Sequence, residues 1–381
     1  MRRRVAGMAA VILTLAACDQ DRVVGADDSG RPPCTRVAGT AAVTFTTNEG
    51  ATLAPTAGEL TGVKYTRGLA ALSGSTLLAV HDGALLRSTD AGCNWTRVGT
   101  LPNRYVALVA ASPTLAYGYV EGSAGLYRVG VDGAVQTVAS PVRRLRELAV
   151  RAGSPENLRV AGETGQIHES DDGGATWRSV GVPVPGGSVY HVAFDPANWD
   201  HAVAGAANSG AWTTEDGGRS WSRAQIASST TQRNQNVFRL AISPVDPNIV
   251  WAGGIDLAEE ERSPLSGRHT YLSRDRGRTF APVLSASEGS PGGPVAITSA
   301  FIMEPHPRDP LVLYFVLGTG TGTDIVRLDA GSGTHSVRHT SYDRISEITF
   351  AAGRPGVMYL GLGVEQHCDP GPCPQYRRAA E

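Results

Sequence analysis

Residues 169–177 read Glu169-Ser170-Asp171-Asp172-Gly173-Gly174-Ala175-Thr176-Trp177, ESDDGGATW, and the stretch is not alone in the chain. Arg87–Trp95 reads RSTDAGCNW, Thr213–Trp221 reads TTEDGGRSW, and Leu272–Phe280 reads LSRDRGRTF. Aligned, the four give Ser/Thr-x-Asp-x-Gly-x-Ser/Thr/Asn-aromatic, here called the box. Its conserved-type positions are Ser88, Asp90, Gly92 and Trp95; Ser170, Asp172, Gly174 and Trp177; Thr214, Asp216, Gly218 and Trp221; and Ser273, Asp275, Gly277 and Phe280. The spacing is that of a tight hairpin. The hydroxyl and carboxylate oxygens can accept backbone N–H groups left unpaired in the turn. The glycine permits positive φ, and the aromatic begins the next strand and packs inward. Copies on different repeats cannot share one substrate, so repetition favours a structural role over a catalytic one.

Working outward, each box is preceded by an apolar run, a Pro/Asn/Asp/Gly turn and a second run ending in small residues. Seven such units begin near residues 69, 106, 148, 191, 240, 301 and 348. Degenerate boxes stand at Asp132-Gly133 and at Asp329 with Gly331. Units of 40–60 residues made of short strands predict a radial array, because a lone four-stranded sheet leaves both faces bare and its neighbours must cover them. The expected fold is all-β: a seven-bladed β-propeller of four-stranded antiparallel blades.

The seventh unit runs short. Ile348–Ala351 and Val357–Gly361 supply two strands, Gln375-Tyr376-Arg377-Arg378 reads as a third, and the chain ends at Glu381. The spare strand-like segment is Ala41–Thr46. It is expected to close the ring as the outer strand of the last blade, removing an exposed edge. A truncated or divergent last blade is the alternative.

Composition bounds the function classes. The 381 residues hold 46 Gly, 23 Pro and only 18% charged side chains, with a net charge of −2, which gives no electrostatic case for nucleic acid. No CxxC pair, HExxH or other metal spacing is present, so neither a metal nor a cofactor is expected. The nine His are scattered. His168 and His191 read as core or surface residues. Glu259, Glu260 and Glu261 read as a solvated acidic run.

The N-terminus is a targeting segment. Arg2, Arg3 and Arg4 precede an apolar run from Val5 to Leu15, too short to span a bilayer. Leu15-Ala16-Ala17-Cys18 then resembles a bacterial lipobox. The resemblance implies cleavage before Cys18 and its acylation, palmitate included; an ordinary secretory signal with Cys18 incidental is the other reading. The expected division is 1–17 lipoprotein signal peptide, 18–38 polar tether and 39–381 propeller. The expected address is the cell envelope, at the outer membrane on its periplasmic side or at the cell surface. Asp19 can favour the inner membrane in some bacteria, so the membrane stays open.

Four further cysteines suggest two disulfides in an exported protein. Let the upper face carry the connections between strands two and three and between blades; the boxes then lie on the lower face. Cys93, inside the first box, is low. Cys34 precedes the closing strand as it enters the neighbouring last blade from below. Cys368 and Cys373 share an upper loop. The expected pairs are Cys34–Cys93 and Cys368–Cys373.

The Ser170-Asp172-Gly174-Thr176-Trp177 pattern resembles the Asp-box, or bacterial neuraminidase (BNR), repeat. That repeat occurs in sialidases, xyloglucanase-type glycosidases, sortilin-like receptors and photosystem II assembly factors. The resemblance covers roughly residues 39–378 and implies a fold, since these proteins share architecture rather than chemistry. A sialidase would carry an Arg-Ile-Pro motif, an arginine triad, a Tyr–Glu pair and an acid Asp. This sequence has no Arg-Ile-Pro; Arg31-Pro32 lies in the tether and Arg354-Pro355 in a lower turn. Xyloglucanase-type enzymes resemble two fused propellers with a cleft between them, which one ring cannot form. Other glycosidases need two carboxylates about 5–9 Å apart, and none can be paired by sequence.

The favoured reading is therefore a monomeric, non-catalytic binding or assembly module for an envelope protein or glycan. A sialidase-like glycoside hydrolase with a divergent site is the alternative. Recognition in a propeller falls to the upper loops and channel mouth. Long upper connections are Ser228–Asn236, Asp256–Arg268, Ser285–Val295 and Val364–Pro374, three of them around blade five. They offer Arg233, Asn236, Glu260, Arg262 and Arg268 as contacts, unless they are merely tolerated insertions. Arg104, Arg146, Tyr190 and Arg239, near the starts of inner strands, are expected at the channel mouth.

Overall fold

A computed structural model describes residues 32–60, 64–227, 235–262, 267–286, 302–319, 322–341, 344–351 and 353–364. Seven sheets form seven blades of a propeller. The inner strands, one per blade, are Thr66–Ala71, Ala107–Ser112, Leu145–Arg151, Val189–Phe194, Gln235–Ile242, Met303–Pro305 and Arg344–Ala351. Each blade then runs outward as an antiparallel meander. Blade five also gains Gln225–Ile226, the chain arriving from blade four, which pairs in parallel with its outer strand Thr279–Ser285.

The sheets carry apolar side chains on both faces, so each must be covered twice. Seven buried apolar clusters do this, one at each junction between adjacent blades. One cluster, for example, brings Leu78 and Val80 of blade one against Val106 and Ala116 of blade two. Close approach explains the small residues that end the second strands. A Cβ on Gly205 would lie 2.4 Å from the Val237 carbonyl oxygen of the next blade's inner strand.

The boxes are lower-face turns, built alike. In the opening stretch, Ser170 Oγ donates to Asp172 Oδ1 (2.8 Å) and accepts the Gly174 N–H (2.8 Å). Asp172 accepts the N–H of Thr176 (2.9 Å) and its hydroxyl (2.6 Å). These bonds, the Thr176 hydroxyl foremost, hold the Asp172 pKa down to about 2. Gly173 and Gly174 have φ of 69° and 90°, and a Cβ on Gly174 would meet Val138 of the preceding blade at 2.4 Å. The box glycine thus serves the turn and the blade junction together. Glu169, the first residue of the stretch, is buried and pairs with the buried Arg159, which stacks on Trp199 of the next blade.

The N-terminal segment closes the ring, but not as the sequence suggested. Val43–Thr46 pairs directly with Arg354–Gly363, the second strand of blade seven, and so takes the third position rather than a fourth, outer one. A box follows it. Thr46 Oγ1 donates to Asn48 Oδ1 (2.9 Å) and accepts the Gly50 N–H (3.1 Å), while Asn48 Oδ1 accepts the Thr52 N–H (3.0 Å). Glu49 and Gly50 take the two positive-φ positions, at 57° and 89°. Thr46-Thr47-Asn48-Glu49-Gly50-Ala51-Thr52-Leu53 is therefore a fifth box, with Asn for Asp and Leu for the aromatic. Past it, the Ala54 N–H donates back to Phe45 O (2.9 Å), the start of a fourth-strand return. The C-terminal third strand expected at Gln375–Arg378 lies outside the described residues.

Cys34 and Cys93 form a disulfide, with Cα atoms 5.9 Å apart, across the junction of blades seven and one. Around it the Ala38 N–H donates to Cys93 O (2.7 Å), and Val37 is fully buried. Cys368 and Cys373 lie outside the described residues, as do Cys18 and the rest of residues 1–31.

Candidate channel-mouth site

The inner strands decide what lines the channel. In five of them the pairing with the second strand slips by one residue at the same place. The slips fall between Thr66 and Gly68, Leu145 and Glu147, Val189 and His191, Val237 and Arg239, and Ile345 and Glu347. Each is a β-bulge, which breaks strict alternation and brings two successive side chains toward one side. After the bulges, Glu147, His191, Arg239 and Glu347 stand at equivalent positions of their blades; Glu304, on the inner strand of blade six, opposes Tyr314 as Ala241 opposes Trp251 in blade five.

Above this layer the upper face opens into a cavity of about 400 Å³. Glu304, Glu347 and Arg239 form one side of its lining; Arg67, Arg146 and Glu121 face them. Tyr119 and Tyr105 contribute ring surface. Two of the residues expected at the mouth, Arg146 and Arg239, are brought together here. Arg104 sits at the rim. Its guanidinium stacks on Tyr65 and Tyr105 with 5.0 and 5.1 Å to the ring centroids, and it pairs with Asp82 at 3.3 Å. Tyr190 stacks on Phe238 at 4.9 Å and is not in the cavity lining.

Charge pairing in the channel is uneven. Glu147 lies 2.7 Å from His191 Nε2 and accepts the Tyr119 hydroxyl at 3.2 Å. Burial would raise the Glu147 pKa, but His191 and Arg239 outweigh it and the pKa is lowered. Burial lowers the His191 pKa, with Arg239 adding to the effect. His191 is thus a neutral channel residue rather than a plain core one. Arg239 is held charged by Glu147, Tyr119, Glu121 and Glu347 against its own burial. Arg146 approaches Glu121 at 3.9 Å.

Glu304 and Glu347 are the exceptions. Among the described residues neither carboxylate forms an ion pair at 4.0 Å or closer. Burial, and then the charge of Glu347, push the Glu304 pKa up to about 8, with Arg239 opposing. Burial likewise pushes Glu347 up to about 7, against Arg239 and Arg67. Two carboxyl groups with strongly raised pKa values in one cavity mark a candidate functional site. Sequence reading missed both, along with Arg67, Tyr105 and Glu121. A signal existed: several inner strands carry an ionisable residue among apolar ones, as Glu147 in LRELAVR, His191 in VYHVAF and Glu304 in IMEP. Glu304 and Glu347 lie 43 positions apart on separate blades, so their meeting could not be seen in the sequence.

The insertions of blade five are engaged among themselves. Asp256 Oδ1 caps the short helix Leu257–Arg262 through the Ala258 N–H (3.0 Å). Glu260 pairs with Arg268 (3.4 Å), and Arg262 Nε donates to Ala258 O (3.0 Å). His269, 2.8 Å from both Glu259 and the cross-strand Ser285, ties this helix to the sheet. Asn236 Oδ1 accepts the Asn208 N–H of blade four (2.7 Å). Arg233 lies outside the described residues. Among the described residues, no three His, Cys, Asp or Glu side chains come together as a metal site.

The family model described as Sortilin, neurotensin receptor 3 (Sortilin-Vps10) matches residues 165–290. Among solved structures, YCF48 bound to a D1 peptide superposes with a TM-score of 0.55 at 13% identity, over 86% of this chain and 99% of that one. YCF48 from Cyanidioschyzon merolae gives 0.54 at 13%, over 80% and 97%. An ancestral GH74 enzyme gives 0.51 at 17%, over 78% of this chain but only 39% of that one. At these identities the likeness is one of fold. The dispase autolysis-inducing protein of Streptomyces mobaraensis is 42% identical over 374 residues, covering 95% of this chain and 98% of that protein. With a match of that extent, the chain belongs to the family of the dispase autolysis-inducing protein.

Proposed function

We propose that this protein is an exported, non-catalytic binding module that engages a protein partner through its upper channel mouth. The four repeated boxes support placing it among Asp-box propellers. The name of its S. mobaraensis relative suggests the partner: a dispase-type protease whose self-cleavage the module promotes. The observation that carries the binding reading is the rim. Tyr65, Arg104 and Tyr105 form a stacked set held by Asp82, with Tyr105 45% exposed beside the cavity. Rigid Tyr and Arg side chains around a pocket are the usual composition of protein-binding hot spots.

The test is direct. Dispase is incubated with the purified protein, and its fragmentation is followed over time. The expected result is faster fragmentation with the wild type, and an effect weakened about tenfold or more in Tyr105→Ala or Arg104→Ala. Fragmentation unchanged by the wild-type protein would overturn the dispase assignment. Full potency in both variants would remove the rim from the reading. A further part of the proposal is the address: Cys18 carries the lipid that holds the module at the cell envelope, with residues up to 38 as its tether. Cys18→Ser should release the protein from membranes and abolish palmitate labelling.

A second reading, a glycoside hydrolase, is favoured by Glu304 and Glu347 in one cavity, where one carboxyl could be protonated while the other is ionised. Turnover of any aryl glycoside that is lost in Glu304→Gln would establish it.

A further inference from the structure

We infer that the channel mouth takes one basic side chain, a lysine ammonium or arginine guanidinium presented by a polypeptide, between the Glu304 and Glu347 carboxylates. The inference rests on the binding reading above and names the chemistry of that site. It starts from charge pairing. Arg146 is turned to Glu121, Glu147 is satisfied by His191 and Tyr119, and Arg239 lies in the combined field of Glu147, Glu121 and Glu347. Among the described residues that leaves Glu304 and Glu347 without an ion pair, on the adjacent inner strands Met303–Pro305 and Arg344–Ala351. Arg67, Arg146 and Arg239 line the mouth with Glu121, Glu304 and Glu347, so the lining balances when all are ionised, yet the last two carboxylates have no ion-pair partner among the described residues.

Size and surface fit the same ligand. A cavity of about 400 Å³ admits a long side chain but not a folded loop. Ile302, Met303 and the Tyr119 ring give its apolar stem a surface, and the head reaches the carboxylates. No three metal-ligating side chains converge among the described residues, which disfavours a metal ion as the cation. A neutral ligand would leave the Glu304 and Glu347 carboxylates without an ion-pair partner. An anion between them would be repelled by both.

The occupant enters as a proton leaves. With Glu304 at about 8 and Glu347 at about 7, Glu304 is largely protonated at pH 7. A cation between the two carboxylates stabilises both ionised forms, so binding releases protons and strengthens as pH rises from 6 to 8.5. The groups facing the pair are Arg239, Arg67 and Glu147, with Arg146 and Glu121 across the cavity.

The experiment uses methyl-labelled protein and NMR titration with three probes: Nα-acetyl-lysine amide, Nα-acetyl-arginine amide and the uncharged Nα-acetyl-norleucine amide. The Ile302 and Met303 methyl groups report the cavity. Saturable shifts are expected with the basic probes and not with norleucine. Affinity should rise roughly tenfold from pH 6 to pH 8.5, and Glu304→Gln/Glu347→Gln should weaken binding at least about 30-fold. Both substitutions keep the shape of the side chain, so the variant is expected to fold; unchanged Trp251 and Tyr314 environments by near-UV circular dichroism check this. Shifts equal for norleucine and lysine, shifts absent for all three, or shifts unchanged in the double variant would each overturn the inference. None of these touches the dispase assay, in which the Arg104→Ala variant reads the rim outside the cavity lining.

Discussion

The Tyr359 hydroxyl of blade seven donates to the Ala91 carbonyl of blade one's box, 3.0 Å away and 268 positions earlier in the chain. The same ring lies where a Cβ on Gly92 would fall, at 2.8 Å. A turn read as local is thus also the latch of the ring. Tyr359→Phe should lower unfolding free energy by about 1 kcal/mol, the net worth of a buried hydrogen bond. Gly92→Ala combines a φ of 85° with a clash and should cost roughly 2–4 kcal/mol. Denaturant midpoints of the two variants test the order; equal costs would mean that the latch does not depend on close packing.

The disulfide guards the same junction. Cys34 and Cys93 are separated by 59 positions, and their link should contribute about 2–4 kcal/mol. Cys93→Ser should lose that amount, and mild reductant should bring the wild type to the same midpoint. Non-reducing peptide mapping should join Cys34 to Cys93.

The cryptic box makes a prediction of sign. Asn48→Ala removes the acceptor of the Thr52 N–H and Thr46 hydroxyl and should cost about 1–2 kcal/mol. Asn48→Asp restores the usual acceptor and should be neutral or stabilising by up to about 1 kcal/mol at pH 7. That gain should vanish in acid. In Asp172 the pKa falls to about 2 from an ordinary 3.8, so its contribution is present above pH 4 and lost as pH falls toward 2. Asp216 behaves alike: burial opposes, and the Ser220 and Thr214 bonds win. Acid denaturation curves of wild type, Asp172→Asn and Asn48→Asp should diverge in that window and converge below it.

The opposite sign holds in the channel. The Glu304 pKa is raised from 4.5 to about 8, so the folded state holds a proton that the unfolded chain gives up. Below pH 4.5 both states are protonated and the group is neutral toward stability. The penalty accumulates as pH rises from 4.5 to 8. Glu304→Gln should therefore match the wild type at pH 4 and exceed it at pH 8.5 by about 1–3 kcal/mol, less than the whole shift because the carboxyl lines an open cavity. Thermal midpoints at the two pH values decide it, and a variant less stable at both would refute the shift.

Glu169 opens the stretch that organises the sequence, yet its role is not in the turn. It neutralises Arg159, which is only 4% exposed. Glu169→Ala strands that guanidinium and should cost about 3–5 kcal/mol. Replacing both with apolar residues should recover most of it, measured as a double-mutant cycle.

Ser170, Asp172, Gly174 and Trp177 with their copies determined the turns, the blade count and the all-β class, because each box is satisfied by bonds spanning at most four residues and keeps its meaning in any context. The topology argued from those boxes even paired Cys34 with Cys93. The fifth box stayed hidden because Asn48 and Leu53 serve the same bonds and packing with different residue types, at the wrong end of the chain. Only the closed ring assigned Val43–Thr46 to the third position, since pairing with Met358–Gly361 is a long-range choice that no local pattern encodes. The same holds for the channel mouth. Glu304 and Glu347 are 43 positions apart, and a shared cavity shifts their pKa values only after inner strands of separate blades converge.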